Sequence, residues 1–525
     1  MIKKIYERIN SNRIYFICFM IVLTLLSSIN IFHSGIIINH DINFHLHRIL
    51  AVSDNIRIGK ITPVYFNYLN GLGYGNGLFY PDIFLYFPAF LKHIGFTLEF
   101  SYKVFILLIN FVSIYTMYLC VKKITMSNKC AYVSMTLYSF SIYRLIDLVD
   151  RGALGETIAF AFIPLVVLGL YEILYGNYKN GFYLTIGLSG VCFSHVISFY
   201  LTCILIILVV IVNLKCLKNL KRFISLLTNI FLSIVITCFF WAPLLEQIIF
   251  GKFNFDACQP IFETLVPLYL LFIDYPVAQT LKVWYPSGIG LIYYYGIVVF
   301  LKRLVCNKFK CDNRFLFTLF FLSIIFILVT CCSFIWKIDI FYKSLKFIQF
   351  PWRFNIISTV LLTIAFGIMM NDIRFNTVVK TFLIYTIVIF FTNVVLYSFN
   401  VYSKSVLKDE IMTGEYLPKY FDFNVVDNYS NKYIEYEKKD DILNVSLKKW
   451  KNEIEVPLIY YKGYVACGDK CYPVFKTKNG LVGIRIDKDA TNFKVWYKGT
   501  NLYNVTKYIS FLGIIILIYK IKKCK

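Results

Sequence analysis

Charge is what this sequence lacks most: only 16% of its 525 residues are Asp, Glu, Lys or Arg, where an ordinary soluble domain carries about a quarter. A chain so poor in charge cannot cover its own surface with polar groups, which excludes a water-soluble globular fold. Acids are scarcer than bases, 30 against 54, and there are 6 histidines. Paired cysteines are nearly absent. The 15 cysteines stand mostly alone in apolar runs, where the thiol behaves as a small hydrophobe, and only Cys467 and Cys471 look like a pair. No small-residue cleavage site follows the first apolar run, so Ile14–Ile31 reads as a retained span rather than a leader. No internal repeat is evident.

What is present is apolar: 58% of residues are hydrophobic and 19% aromatic. Ile14–Ile31, Val104–Val121, Ile224–Trp241, Phe354–Met370 and Thr381–Phe399 are each near the ~20 residues that cross hydrocarbon as a helix. The net charge of +24 would suit nucleic acid, but the basic residues sit in short gaps between apolar runs. That is the pattern of cytoplasmic loops facing anionic headgroups. Membrane lipids, not nucleic acid, are the expected partners.

Lys3, Lys4, Arg8 and Arg13 place the N-terminus in the cytoplasm, leaving residues 33–102 as a long first outer loop. Within it, Pro81–Gly95 contains Pro88, Lys92 and His93 and reads as an interfacial or re-entrant helix. Basic loops at Lys122–Lys129, Lys215–Arg222 and Lys302–Arg314, and the tail Lys520–Lys525, fall inside. The run Phe182–Leu214 is too long for one span and divides near Ser194 and His195. The result is an all-α polytopic fold of about twelve spans in residues 1–399 and 504–525, with both termini cytoplasmic. Residues 400–503 are polar, with short alternating stretches between Gly and Asn turns. They read as a β-sandwich-like extracytoplasmic domain. There Cys467 and Cys471 would form a disulfide or remain free thiols, and a second ligand pair for zinc is missing.

Three outer stretches carry candidate chemistry. After the first span, Asp41, His45 and Arg48 fall at i, i+4 and i+7 of a helix and share a face. Asp41 is a candidate general base and Arg48 a candidate phosphate ligand, although Asp41 could equally do no more than cap the helix. The loop Asp147–Glu156 holds Asp150, Arg151 and Glu156, a set suited to an anion or a metal ion; Glu156 at a helix start is the plainer alternative. Trp352 and Arg353 precede a span and would act as an interfacial anchor or grip a lipid phosphate. His195, at the divided run, is read first as a packing residue and second as a substrate contact. The loop Ala242–Ser287, with Glu246, Asp256 and Glu263, is a weak candidate for a lid.

Taken together, His40–Arg48, Arg151–Glu156, Phe350–Arg353, Glu415–Pro418 and Pro457–Tyr461 resemble the GT-C class of membrane glycosyltransferases, and more closely the YfhO-like bacterial membrane proteins. The resemblance implies an enzyme of the bacterial plasma membrane with its active site outside. It would move a sugar from a polyprenyl-phosphate donor to a cell-envelope polymer such as a teichoic acid. It makes Asp41 the base and Arg353, Arg48 and Arg151 the phosphate ligands, with His45, His195 and Trp352 near the substrate. It places Asp150 and Glu156 where some members of the class hold a divalent ion such as Mg or Mn. The alternatives are a transporter or flippase of a lipid-linked glycan, which would call for ionisable residues deep in spans, and a non-catalytic envelope scaffold built on the β domain.

Overall fold

Hydrocarbon offers no partner for backbone N–H and C=O groups, so long apolar runs must pair internally as helices. The computed structural model describes residues 12–36, 41–255, 261–272, 288–306, 314–372, 387 and 414–524, without the side chains of residues 149 and 150. Among these residues, six helices are long and apolar enough to cross a membrane. They are Leu98–Thr125, Leu154–Leu174, Leu220–Phe250, Arg314–Cys331, Pro351–Met369 and Asn501–Cys524. Arg13–Ser27 and Val196–Val212 are shorter apolar helices. All of the expected span Thr381–Phe399 but residue 387, and the residues Lys3, Lys4 and Arg8, lie outside the described residues.

The run Phe182–Leu214 is broken where the sequence suggested. Helices Phe182–Cys192 and Val196–Val212 meet at Ser194 and His195, and His195 caps the second by accepting from the Ser198 N–H at 3.4 Å. Residues Tyr86–His93 form a helix of eight residues, about 12 Å long and too short to span. One expectation fails. The loop placed from Ala242 begins later, because the helix from Leu220 continues through Pro243 to Phe250. Its last turn is anchored by Gln247, which exchanges two hydrogen bonds with the Lys462 backbone at 2.8 and 3.0 Å.

The two ends of the helix bundle differ. One end gathers Lys122, Lys123, Lys179, Arg222 and Lys520; Arg222 donates to the Ile173 carbonyl at 2.5 Å and Lys520 to Asn229 at 2.8 Å. The opposite end meets residues 41–97 and the β unit.

That unit has eight strands: β1 Ile434–Lys439, β2 Ile442–Leu447, β3 Glu453–Ile459, β4 Tyr464–Cys467, β5 Cys471–Tyr472, β6 Val474–Lys476, β7 Leu481–Arg485 and β8 Asn492–Tyr497. They make two antiparallel sheets, in the orders β1-β2-β8-β4-β5 and β3-β7-β6. Alternate residues such as Leu443, Val445, Phe493 and Val495 are buried, as the period of two requires. Cys467 and Cys471 are joined as a disulfide across the β4–β5 turn. The core does not stop at the strands: it continues through Val64, Tyr65, Leu72, Tyr74 and Phe79 of the first loop. The first loop and the β unit are therefore one packed body.

Polar ties reinforce that body. The Ile459 N–H donates to the Leu72 carbonyl at 2.8 Å, and Lys60 pairs with Asp441 at 2.8 Å. The Lys438 ammonium, largely buried, donates to the carbonyls of Phe66 and Gly71. Burial lowers the Lys438 pKa from 10.5 to about 8, with Asp441 opposing the shift. Between those values the unfolded chain binds more protons than the folded one, so this contribution to stability rises with pH across the window. Cleavage of native protein within residues 66–71 is accordingly expected to slow between pH 7.5 and pH 9, measured against Lys438→Met to cancel the protease's own pH dependence. Lys438→Met itself is expected to be cut faster at both pH values, having lost two hydrogen bonds worth about 2 kcal/mol together. Equal cutting of the two proteins would show that Lys438 ties nothing.

Candidate active site

Asp41 stands immediately before helix Ile42–Arg57, and the His45 N–H bonds its carbonyl at 3.1 Å. Its own N–H donates to the Arg151 carbonyl at 3.1 Å, which joins the first two candidate stretches through their backbones. The carboxylate, half-buried, makes no capping bond to the helix it precedes. The plain capping role is therefore not what the side chain does. Of the expected face, His45 and Arg48 meet: Arg48 Nη1 lies 3.1 Å from His45 Nδ1. Burial, then the Arg48 charge, then His195 hold the His45 imidazole well below its ordinary pKa, so it is neutral.

Arg48 does not point at open space. It reaches Asp82 Oδ1 through Nη2 at 2.7 Å and Nε at 3.2 Å, donates to the Pro81 carbonyl at 2.7 Å, and lies 4.0 Å from the Tyr80 ring centroid. Asp82 Oδ2 accepts from the Tyr65 hydroxyl at 2.8 Å. Burial raises the Asp82 pKa while Arg48 and the tyrosine bond pull it down. Neither Asp82 nor Tyr80 was singled out from sequence. The signal was a lone acid inside the apolar run Leu78–Leu91.

The second stretch forms the centre. Arg151 pairs with Asp147 at 2.5 Å and with Glu156 Oε1 at 3.1 Å. Glu156 Oε1 also receives Arg353 Nε at 3.1 Å, and Oε2 receives the Tyr143 hydroxyl at 2.9 Å. Two glycines let this turn approach the first loop. A Cβ at Gly152, whose φ is +59°, would collide with Ile42, and one at Gly155 would collide with the Tyr80 hydroxyl. Arg353 is buried, 8% exposed, rather than standing in a lipid-facing anchor, and it also donates to the Ile348 carbonyl and to Gln349 Oε1 at 2.9 and 2.6 Å. Its Nη2 makes no hydrogen bond among the described residues. Trp352 is buried and stacks on Phe350 at 4.3 Å. The His195 ring lies 5.8 Å from that of Tyr80.

The charges balance in pairs: Arg48, Arg151 and Arg353 face Asp82, Asp147 and Glu156. Asp41 and Glu415 are left over. Glu415, from one of the stretches that carried the family resemblance, has its carboxyl pKa raised by burial and then by Asp41, with Arg353 opposing. Sequence reading did not name it as a site residue. A divalent ion at Glu156 would meet two fixed guanidinium groups, so the donor set there does not suit a metal. The Asp150 side chain lies outside the described residues, and among those described no group of three or more His, Cys, Asp or Glu is placed to hold an ion. Beside Asp82 opens a mainly apolar cavity of about 170 Å³, lined by Pro81, Ile83, Tyr86, Phe239 and Tyr503 among others.

A buried ion pair is costly to break because it strands the partner charge. Glu156→Gln leaves Arg151 and Arg353 short of an acceptor and is expected to destabilise the protein by about 3–5 kcal/mol, measured as a lowered unfolding midpoint in detergent. A midpoint unchanged from the native protein would show that water already screens the pair.

No family model matches the chain. One curated relative, an uncharacterized protein of Lactococcus lactis subsp. cremoris (strain MG1363), is 25% identical over 233 residues; the match covers 42% of this chain and 37% of the relative. Among solved structures, two cryo-EM structures of the arabinofuranosyltransferase AftD from mycobacteria align at 13% and 12% identity, with TM-scores of 0.42 and 0.40. They cover 72% and 73% of this chain but only 27% and 26% of theirs. The chain thus spans little more than a third of the one relative's length and about a quarter of the other's. Likeness at this level does not assign a family, and the functional reading rests on the side chains.

Proposed function

We propose that the chain is a membrane glycosyltransferase that moves a sugar from a polyprenyl-phosphate donor to a cell-envelope acceptor on the outer side of the plasma membrane. The observation that carries this reading is the Asp41 carboxylate, positioned by its backbone bond to Arg151 yet free of any capping bond. A carboxylate so placed can take the proton of an acceptor hydroxyl. The hydroxyl oxygen then bonds to the anomeric carbon, the bond from that carbon to the phosphate oxygen breaks, and its electron pair leaves with the lipid phosphate. Arg353, with Nη2 unengaged, offers a charged donor to that phosphate. The cavity beside Asp82 gives the apolar chain next to the phosphate a place to lie. The basic residues gathered at the far end of the bundle support placing the site outside by the positive-inside rule.

Sugar transfer by purified protein in liposomes, from a panel of polyprenyl-phosphate sugars to envelope polymers, tests the reading. Asp41→Asn is expected to lower turnover about a hundredfold or more, the usual range for loss of a general base, at an unchanged unfolding midpoint. Transfer at the native rate by Asp41→Asn would remove Asp41 as the base.

One observation favours the transport alternative. Arg144 is buried, contacts Asn110 and donates to the Ser139 carbonyl at 3.2 Å, with the Tyr138 ring 5.2 Å away. None of these partners is a carboxylate. Intramembrane charge of this kind often lines a substrate path. Labelled lipid-linked glycan crossing the bilayer, with no transfer, is the result that reading requires.

A further inference from the structure

One cluster in the β unit lies well away from Asp41. The β1–β2 turn contacts the first loop, Asp440 with Arg57 at 3.4 Å and Asp441 with Lys60 at 2.8 Å. At the other end of the same two strands, about 17–20 Å away, the chain places Lys432 and Tyr433 beside the segment Lys448-Lys449-Trp450-Lys451; the Lys448 N–H donates to the Tyr433 carbonyl at 2.8 Å. Strand β3 repeats the polarity. Ile459 bonds Leu72 of the first loop, while Glu453 lies at the remote end.

The charges there do not cancel. Glu435 is paired with Lys448, Glu453 with Arg485 and Asp487 with Lys470, and Asp489 also faces Lys470. Lys432, Lys449, Lys451 and Lys488 form no ion pair among the described residues, and all four are exposed. Three of them sit over aromatic rings: Lys432 and Lys451 lie 5.4 and 5.0 Å from the Tyr433 centroid, and Lys488 lies 5.7 Å from that of Trp450. Trp450 is 47% exposed, an unusual outlay of apolar surface on a water-facing turn.

We propose that this remote end of the β unit, Lys432, Lys449, Lys451 and Lys488 around Tyr433 and Trp450, is a binding surface for an anionic glycan chain. The ammonium groups meet the phosphate or carboxylate groups of such a polymer, and the exposed part of Trp450 meets the apolar faces of its sugars. Neither a bare polyanion nor a neutral glycan would use both features. Its place at the strand ends opposite the contacts with the first loop favours a polymer in the aqueous envelope over the headgroups of the membrane in which the protein sits. The surface does not depend on the transfer reaction, since binding is read directly.

The test uses full-length protein in phosphatidylcholine nanodiscs and three probes: polygalacturonate, dextran and inorganic polyphosphate. Polygalacturonate is expected to bind, to weaken as salt is raised, and to lose about tenfold or more in affinity in the triple variant Lys449→Glu, Lys451→Glu, Lys488→Glu. Trp450→Ala is expected to weaken polygalacturonate binding while leaving polyphosphate binding unchanged, a split that general charge attraction cannot produce. All substituted residues are exposed, and an unchanged unfolding midpoint confirms the fold. Native-like binding by the triple variant, or dextran binding as tightly as polygalacturonate, overturns the proposal. So does a lysine effect confined to attachment of the protein to phosphatidylglycerol vesicles, which would make the surface a membrane contact.

Discussion

The Glu156 carboxylate, held between Arg151 and Arg353 with the Tyr143 hydroxyl on its second oxygen, is the interaction on which the rest of the site depends. It joins residues 197 positions apart in sequence. In a low-dielectric interior such a carboxylate is stable only because both guanidinium groups are fixed against it. Arg151, so fixed, presents the carbonyl that holds the Asp41 N–H. The position of the proposed base is thus a consequence of a buried ion pair that the base does not itself join. Glycine at 152 and 155 is part of the same constraint, since a side chain at either would push this turn off the first loop.

A second constraint acts from above the helices. The first loop is held from two sides: Tyr65, Tyr74 and Phe79 share a core with Val456, Tyr461 and Val482 of the β unit, while Ile42, Leu46, Ile49, Leu85 and Ala89 pack with Phe105 and Ile106 of the helices. Phe79 stacks on Tyr416 at 5.4 Å and Phe253 on Tyr461 at 5.8 Å, so aromatic contacts run from the loop to the strands and back to the end of the helix Leu220–Phe250. Glu415 reaches the site from this covering layer. The β unit therefore covers the proposed active site at one end and carries exposed lysines around Tyr433 and Trp450 at the other.

What periodicity can carry was legible in the chain. The meeting of His45 and Arg48 follows from helical spacing, and the division of Phe182–Leu214 at His195 follows from its length; both are present. Strand alternation likewise marked the β unit. What depends on long-range pairing was not legible. Nothing near Arg48 announces that Asp82 is its partner, and nothing near Arg353 announces Glu156, because burial is set by the tertiary fold rather than by neighbours in sequence. The same gap hid Glu415 and the neutral surroundings of Arg144. Hydropathy also does not give helix length: Phe182–Cys192, in an apolar run, is a helix of 11 residues and largely buried.

The central claim is that lipid phosphate and acceptor meet between Arg353 and Asp41. A cryo-EM structure of the protein in nanodiscs with a non-hydrolysable polyprenyl-phosphonate sugar tests it most directly. The account requires the phosphonate within hydrogen-bonding reach of Arg353 Nη2, the prenyl chain leading toward the cavity beside Asp82, and the anomeric carbon turned to Asp41. Headgroup density lodged at Arg144, or anywhere that leaves Asp41 facing no sugar, would contradict it.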